Sequence, residues 1–215
     1  MMKKLILCST ALYLLTSCSD GSQPSSIVSE KKDSVNQTEN SIKNKNENTL
    51  IKVVRDSSSV LRWTGSAVGK SHYGTLDYNG SLKISDNKLN GGELIFDMKT
   101  INTKDLEGEW KQKLDNHLMN PDFFNVDSFP TAKLTINEYD GTNLNGDLTI
   151  KNITKQISFP AKVTVSENSL EGSAEFSINR TDFGIVYGSG NFFDLVEDKI
   201  IADEIDFNIL IKASK

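Results

Sequence analysis

The sequence predicts an all-β domain in which eight antiparallel strands close into a barrel, with one short amphipathic helix in an insertion. Three observations carry this reading. Apolar and polar residues alternate in run after run from about residue 50 to the end, so each run buries one side only. A single stretch, Leu106, Trp110, Leu114 and Leu118, repeats at helical spacing. No cysteine follows Cys18, so disulfides and thiolate metal sites are excluded there and a hydrophobic core must supply the stability. One helix cannot cover eight apolar strand faces, whereas a sheet closed on itself buries them all.

At the start of the chain, Lys3 and Lys4 precede an apolar run from Leu5 to Leu15 that is short for a membrane span. The run ends in Leu15-Thr16-Ser17-Cys18, which resembles a bacterial lipobox. Residues 1–17 are therefore expected to be a cleaved lipoprotein signal peptide, with Cys18 acylated by several chains, palmitate among them. One acyl chain alone binds a bilayer only marginally. The alternative is an ordinary signal peptide with an incidental cysteine. The lipobox implies an envelope lipoprotein held at a membrane, expected on the periplasmic face of the outer membrane.

Without Lys3 and Lys4, 22 of the 24 basic residues remain against all 29 acidic ones, a net charge of −7. That balance argues against nucleic acid or an anionic bilayer surface as the main partner. Residues 18–49 are rich in Ser, Asn, Lys and Glu and read as a flexible tether. Thirty such residues span on the order of 30 Å. The barrel domain is expected over 50–215.

Strands are expected at 58–68, 73–85, 88–99, 131–139, 143–150, 157–165, 169–178 and 204–211, parted by turns at Asp86-Asn87, Asp140-Gly141 and Glu167-Asn168. The helix is expected at about 104–118, starting near Thr103 or Asp105, with Trp110 on its buried stripe. Pro121 ends it, and a short turn follows through Asp122-Phe123-Phe124. Gly65, Ala67, Gly80, Gly146, Gly172 and Ala174 fall on inward faces, where small residues leave room for a ligand or mark bends in the strands. A barrel of this size either fills with its own side chains or holds one small ligand.

Three blocks carry a resemblance to a known family. The first is His117-Leu118, Pro121-Asp122-Phe123-Phe124-Asn125-Val126-Asp127 and Phe129-Pro130-Thr131-Ala132. The second is the run Asn145-Gly146-Asp147-Leu148-Thr149-Ile150-Lys151-Asn152-Ile153-Thr154-Lys155, and the third Ile178-Asn179-Arg180-Thr181-Asp182-Phe183-Gly184-Ile185. In order and spacing they resemble the YceI-like, polyisoprenoid-binding family over about residues 58–213. The resemblance implies a lipocalin-like barrel whose interior holds an isoprenoid or other amphiphilic lipid, with no cofactor.

The candidate ligand contacts are Trp63, His72, His117, Phe123, Phe124, Phe129, Phe159, Phe176, Arg180, Phe183 and Tyr187. Trp63, Phe159 and Phe176 lie on inward strand faces. Phe123, Phe124 and Phe129 follow the helix and either line the ligand's path or plug the barrel end. His72 and His117 suit a headgroup contact or a buried hydrogen bond, because their spacing matches no metal motif. Arg180 suits a structural ion pair or, through its planar fork, a phosphate. Phe183 and Tyr187 sit in and just after the third block.

Asp182-Phe183-Gly184 has no kinase companions, Gly188-Ser189-Gly190 lacks hydrolase-elbow spacing, and no Walker loop or dinucleotide fingerprint occurs, so no enzyme is expected. The competing reading is a side-chain-filled barrel acting as a protein-interaction module of the envelope.

Overall fold

A computed structural model describes residues 49–54, 59–193 and 199–215. The signal peptide, Cys18 and nearly all of the tether lie outside the described residues. Among the described residues there are nine strands: β1 Thr49–Val54, β2 Val60–Ala67, β3 Lys70–Ser85, β4 Lys88–Thr103, β5 Thr131–Tyr139, β6 Asn143–Ile150, β7 Ile153–Val165, β8 Ser169–Asn179 and β9 Ile201–Ser214. One helix, α1 Gly108–Met119, stands between β4 and β5, and a 3-10 turn, Arg180–Phe183, follows β8.

The nine strands make eight positions around a closed antiparallel ring. From β4 to β9 each strand pairs with the next, and β3 pairs with β4. The last position lies between β3 and β9, and two segments share it. β1 pairs with the far ends of those strands, Thr49 opposite Ile84 and Val54 opposite Lys212. β2 pairs with their near ends, Leu61 opposite Leu76 and Trp63 opposite Phe207. The eight-stranded expectation therefore holds for the ring. β1 was not among the eight expected strands, because in its six residues Leu50 and Val54 face outward while Ile51 faces inward, so apolar residues on both faces mask the alternation.

The buried Tyr78 of β3 reaches over to β9, where its hydroxyl donates to the Leu210 carbonyl at 2.5 Å.

Several boundaries differ from the sequence expectation for local reasons. β7 starts at Ile153 rather than 157, because Lys151 and Asn152 (φ 50° and 63°) make a two-residue hairpin turn. Asp86 and Asn87 (φ 52° and 58°) do the same between β3 and β4. The helix starts at Gly108, which sits at φ 56°, and not near Thr103 or Asp105. Both expected caps are engaged elsewhere: Thr103 ends β4, and Asp105 accepts from His72 Nδ1 (2.8 Å) and the Tyr73 N–H (3.0 Å).

Trp110 is a correction. It is 71% exposed, with Lys113 Nζ 4.9 Å from its ring centre, and is not part of the core. The face that α1 turns inward runs through Leu114, Asp115 and Leu118. Asp115 accepts from the N–H and hydroxyl of buried Thr103 at 2.9 and 2.6 Å and pairs with Lys111. This polar clamp, which apolar periodicity cannot register, sets the rotation of the helix.

Of the inward small residues, Gly65 borders open space. Gly80 and Gly146 do not: a β-carbon there would lie 2.1 Å from the Glu93 carbonyl and 2.5 Å from that of Thr135. Those two let strands press together at bends.

The Tyr78→Phe variant is expected to lose about 0.5–1.5 kcal/mol of stability, the net contribution of one such hydrogen bond. Urea unfolding followed by far-UV circular dichroism measures it, and an unchanged midpoint would show that the Leu210 carbonyl finds another donor.

Candidate functional site

The barrel interior holds two apolar chambers. The upper one, about 100 Å³, lies towards α1. Trp63, Met98, Leu148, Ile178 and Phe207 supply wall side chains, and Leu118, Phe123 and Phe124 close the top. The lower one, about 50 Å³, lies among Leu94, Leu134, Phe159, Leu170 and Ile209. Phe96 and Phe176 line both and form the septum between them. Phe176 is stacked on Phe159 (centroids 4.1 Å, planes 11° apart) and on Phe207 (5.5 Å, 25°). Packing of that kind fixes ring orientation through dispersion and quadrupole effects.

The polar exception in the upper chamber's lining is Arg180, which is 0% exposed. Its guanidinium donates to the carbonyls of Ala202 (2.9 Å), Ile185 (2.7 Å) and Ile201 (3.0 Å) and to Asp203 (3.2 Å). Asp203 also accepts from Ser189 and Asn191. Burial pushes the guanidinium's pKa down, and the Asp203 carboxylate pulls it back up. The Phe123 ring faces the same guanidinium, 5.6 Å from its carbon. These donors tie the segment after β8 to the start of β9.

The cap over the upper chamber is held by three further contacts. Lys151 Nζ donates to the Phe123 carbonyl at 2.9 Å. Asp115 clamps α1 to Thr103, and Asp105 joins the insertion to β3 through His72 and Tyr73. Burial raises both carboxyl pKa values, but the hydrogen bonds from His72 and Tyr73 to Asp105, and from Lys111 and Thr103 to Asp115, outweigh it and leave both below the ordinary value of 3.8.

Of the residues singled out in the sequence, the structure brings Trp63, Phe123, Phe124, Phe176 and Arg180 together around the upper chamber and Phe159 around the lower. His72 stands apart on Asp105. His117 packs against Tyr187 (4.7 Å) and Phe123 (5.6 Å), behind the cap. Phe129 is half-buried and Phe183 buried, neither in a chamber lining. Among the described residues no cluster of three or more His, Cys, Asp or Glu is placed to hold a metal. The indole Nε1 of Trp63 is buried without a hydrogen-bond partner. Sequence reading left Phe96, Met98 and Phe207 out of the site, although each stands on the same alternating phase as its buried neighbours Leu94 and Ile205.

A closed antiparallel barrel with a carbon-lined interior defines the class: an eight-stranded β-barrel of lipocalin-like architecture. A family model described as the YceI-like domain matches residues 52–213, and the chain belongs to that family. A UPF0312 protein of Staphylococcus aureus strain MSSA476 is 34% identical over 93 residues, 40% of this chain and 51% of its own length. One from Pseudomonas paraeruginosa PA7 is 29% identical over 121 residues, 51% of this chain and 60% of its own. The chain thus spans about half the length of the curated relatives it matches first. Among solved structures, Burkholderia cenocepacia BcnA aligns with TM-score 0.58 at 18% identity, over 73% of this chain and 96% of that one. A polyisoprenoid binding domain from Saccharophagus degradans, implicated in plant cell wall breakdown, aligns with TM-score 0.57 at 15% identity, over 77% and 99%. At these identities the likeness is one of fold.

Arg180→Met leaves Asp203 without its cation and three carbonyls without a donor. It is expected to lower stability by about 3–5 kcal/mol, as for other broken buried pairs, read from urea unfolding. The acid response follows from the two lowered carboxyls. Their contribution is complete above about pH 3.8 and is lost as pH falls through their lower folded values. Trp110 fluorescence is expected to report loosening of α1 in that range, and Asp115→Asn, which stands for the protonated carboxyl at every pH, to shrink the pH-dependent change. The same pH-dependent change in the variant, undiminished, would remove Asp115 as its cause.

Proposed function

We propose that the barrel binds an apolar chain, a polyisoprenoid or related amphiphilic lipid, and holds it for carriage or sequestration without chemical change. The observation that carries this reading is the pair of carbon-lined chambers on one axis. An empty apolar space forfeits dispersion contacts along its lining, and a buried hydrocarbon restores them. Each buried methylene contributes about 0.8 kcal/mol, so ten contribute up to about 8 kcal/mol before the costs of association. The name of the Saccharophagus degradans domain points to the same ligand class for a barrel of this fold.

The upper chamber, about 100 Å³, is smaller than the roughly 150 Å³ apolar cavity that suffices for benzene. A longer tail therefore needs Phe96 and Phe176 to turn aside and join the two chambers. The function carries an expected location with it. Cys18 would hold the protein at the envelope membrane through its acyl chains, on the periplasmic face of the outer membrane, with residues 18–49 as spacer.

Native mass spectrometry of protein purified without detergent, then offered farnesol, geranylgeraniol and a long prenol, tests the binding. Uptake of one chain per barrel is expected. Phe176→Ala, which removes the septum, is expected to raise the share of the longest prenol bound relative to farnesol. No uptake of any prenol, quinone or fatty acid would overturn the reading. Cys18→Ser is expected to move the protein from the membrane fraction to the soluble one. Retention in the membrane would overturn the anchor.

A further inference from the structure

We propose that the apolar chain enters and leaves sideways, through a window in the barrel wall between β7 and β8. The proposal rests on the barrel's binding such a chain, as argued above.

β7 and β8 pair only from Ala161 opposite Ala174 to Val165 opposite Leu170. Above that point residues 153–160 pair with β6 alone, and residues 175–179 of β8 pair with β9 alone. The wall is therefore parted over six or seven residues, about 20 Å of strand.

Pro160 stands where the parting begins. The Ala161 N–H donates towards β6, to the Thr142 carbonyl at 2.9 Å. Successive residues of a strand present their backbone groups to opposite neighbours. Pro160 thus presents its nitrogen to β8 and has no hydrogen there to donate. Proline inside a sheet belongs on an edge, and here it makes one.

Burial follows the same division. Ile153, Thr154, Lys155 and Gln156 are all exposed, although Ile153 and Lys155 share the inward phase of Ile157 and Phe159. Wall residues on either side of the gap, Leu148 and Ile150 of β6 and Phe176 and Ile178 of β8, line the upper chamber, and no residue of β7 does. Below, the window ends at the Phe159–Phe176 stack. Above, it ends where Ile153 meets the turn after β8: a β-carbon on Gly184 would lie 3.4 Å from Ile153 Cδ1.

Side chains occupy the barrel towards both ends: Leu118 and Phe123 are buried under the cap, and Ile51, Leu82 and Leu170 towards the far end. At β7 and β8 unpaired wall backbone beside a chamber coincides with exposed strand residues. Lys155 on the free edge of β7 discourages another strand from sealing it, as charged residues do on edges.

In the continued register Ser158 faces Ser177, and both are exposed. The test is the full chain carrying Ser158→Cys and Ser177→Cys, with Cys8→Ser and Cys18→Ser, bridged by oxidation or by a short bismaleimide. Loading of cis-parinaric acid is followed by stopped-flow fluorescence. The bridged protein is expected to load and release the probe at least tenfold more slowly than the unbridged one, with equilibrium affinity unchanged within twofold. Pro160→Val, which restores the missing donor, is expected to slow loading at least threefold. Equal loading rates with and without the bridge would overturn the window and leave binding standing. Failure of the unbridged protein and the wild type to take up any probe would overturn the binding itself.

Discussion

Everything in this fold depends on hydrogen-bonded closure of the wall. An apolar interior is tolerable only if the backbone around it finds its partners within the ring, because each unpaired buried N–H or C=O offsets what burial gains. The cross-ring contact of Tyr78, whose hydroxyl meets the Leu210 carbonyl, ties β3 to β9 from inside. Between β7 and β8 the backbone pairing stops beyond Ala161 and Ala174, and residues 153–156 of β7 turn to solvent. That stretch of wall stands beside the larger of the two chambers.

Arg180 shows how the upper end can be held without filling it. A buried cation is expensive to place, and a well-packed apolar residue often serves stability as well. What an apolar residue cannot do is bind three carbonyls from two segments at once and fix them against a carboxylate. The guanidinium does this from one edge of the chamber. The segment after β8 and the start of β9 thereby keep their places although the space beside them is void.

The ring was largely legible in the sequence because alternation marks a half-wet strand directly: Leu144, Gly146, Leu148 and Ile150, or Ile205, Phe207 and Ile209, read as one face each. β1 was not, being six residues long and apolar on both faces. Trp110 was misplaced because apolar spacing assigns a helix its stripe, whereas α1 is oriented by a carboxylate, Asp115, on a buried threonine. Three of the eleven candidate contacts, Trp63, Phe159 and Phe176, rested on phase alone, and each stands on a chamber wall. The signal for the window was present too. Pro160 interrupts an otherwise regular run of Ile157, Phe159, Ala161 and Val163, and a proline there marks an edge. Which neighbour it abandons is a matter of register, and register needs the partner strands.

The septum and the window share one strand. Phe176 divides the chambers and, stacked on Phe159, also closes the bottom of the gap between β7 and β8. A shift that separates those two rings lengthens the window and frees Phe176 to leave the axis. Widening the way in and joining the chambers are then a single event. This accounts for an interior that is small while closed, in a barrel whose proposed guest is long. The space is made as the chain arrives, by moving rings that already sit beside unpaired backbone, and no other part of the hydrogen-bonded ring has to open.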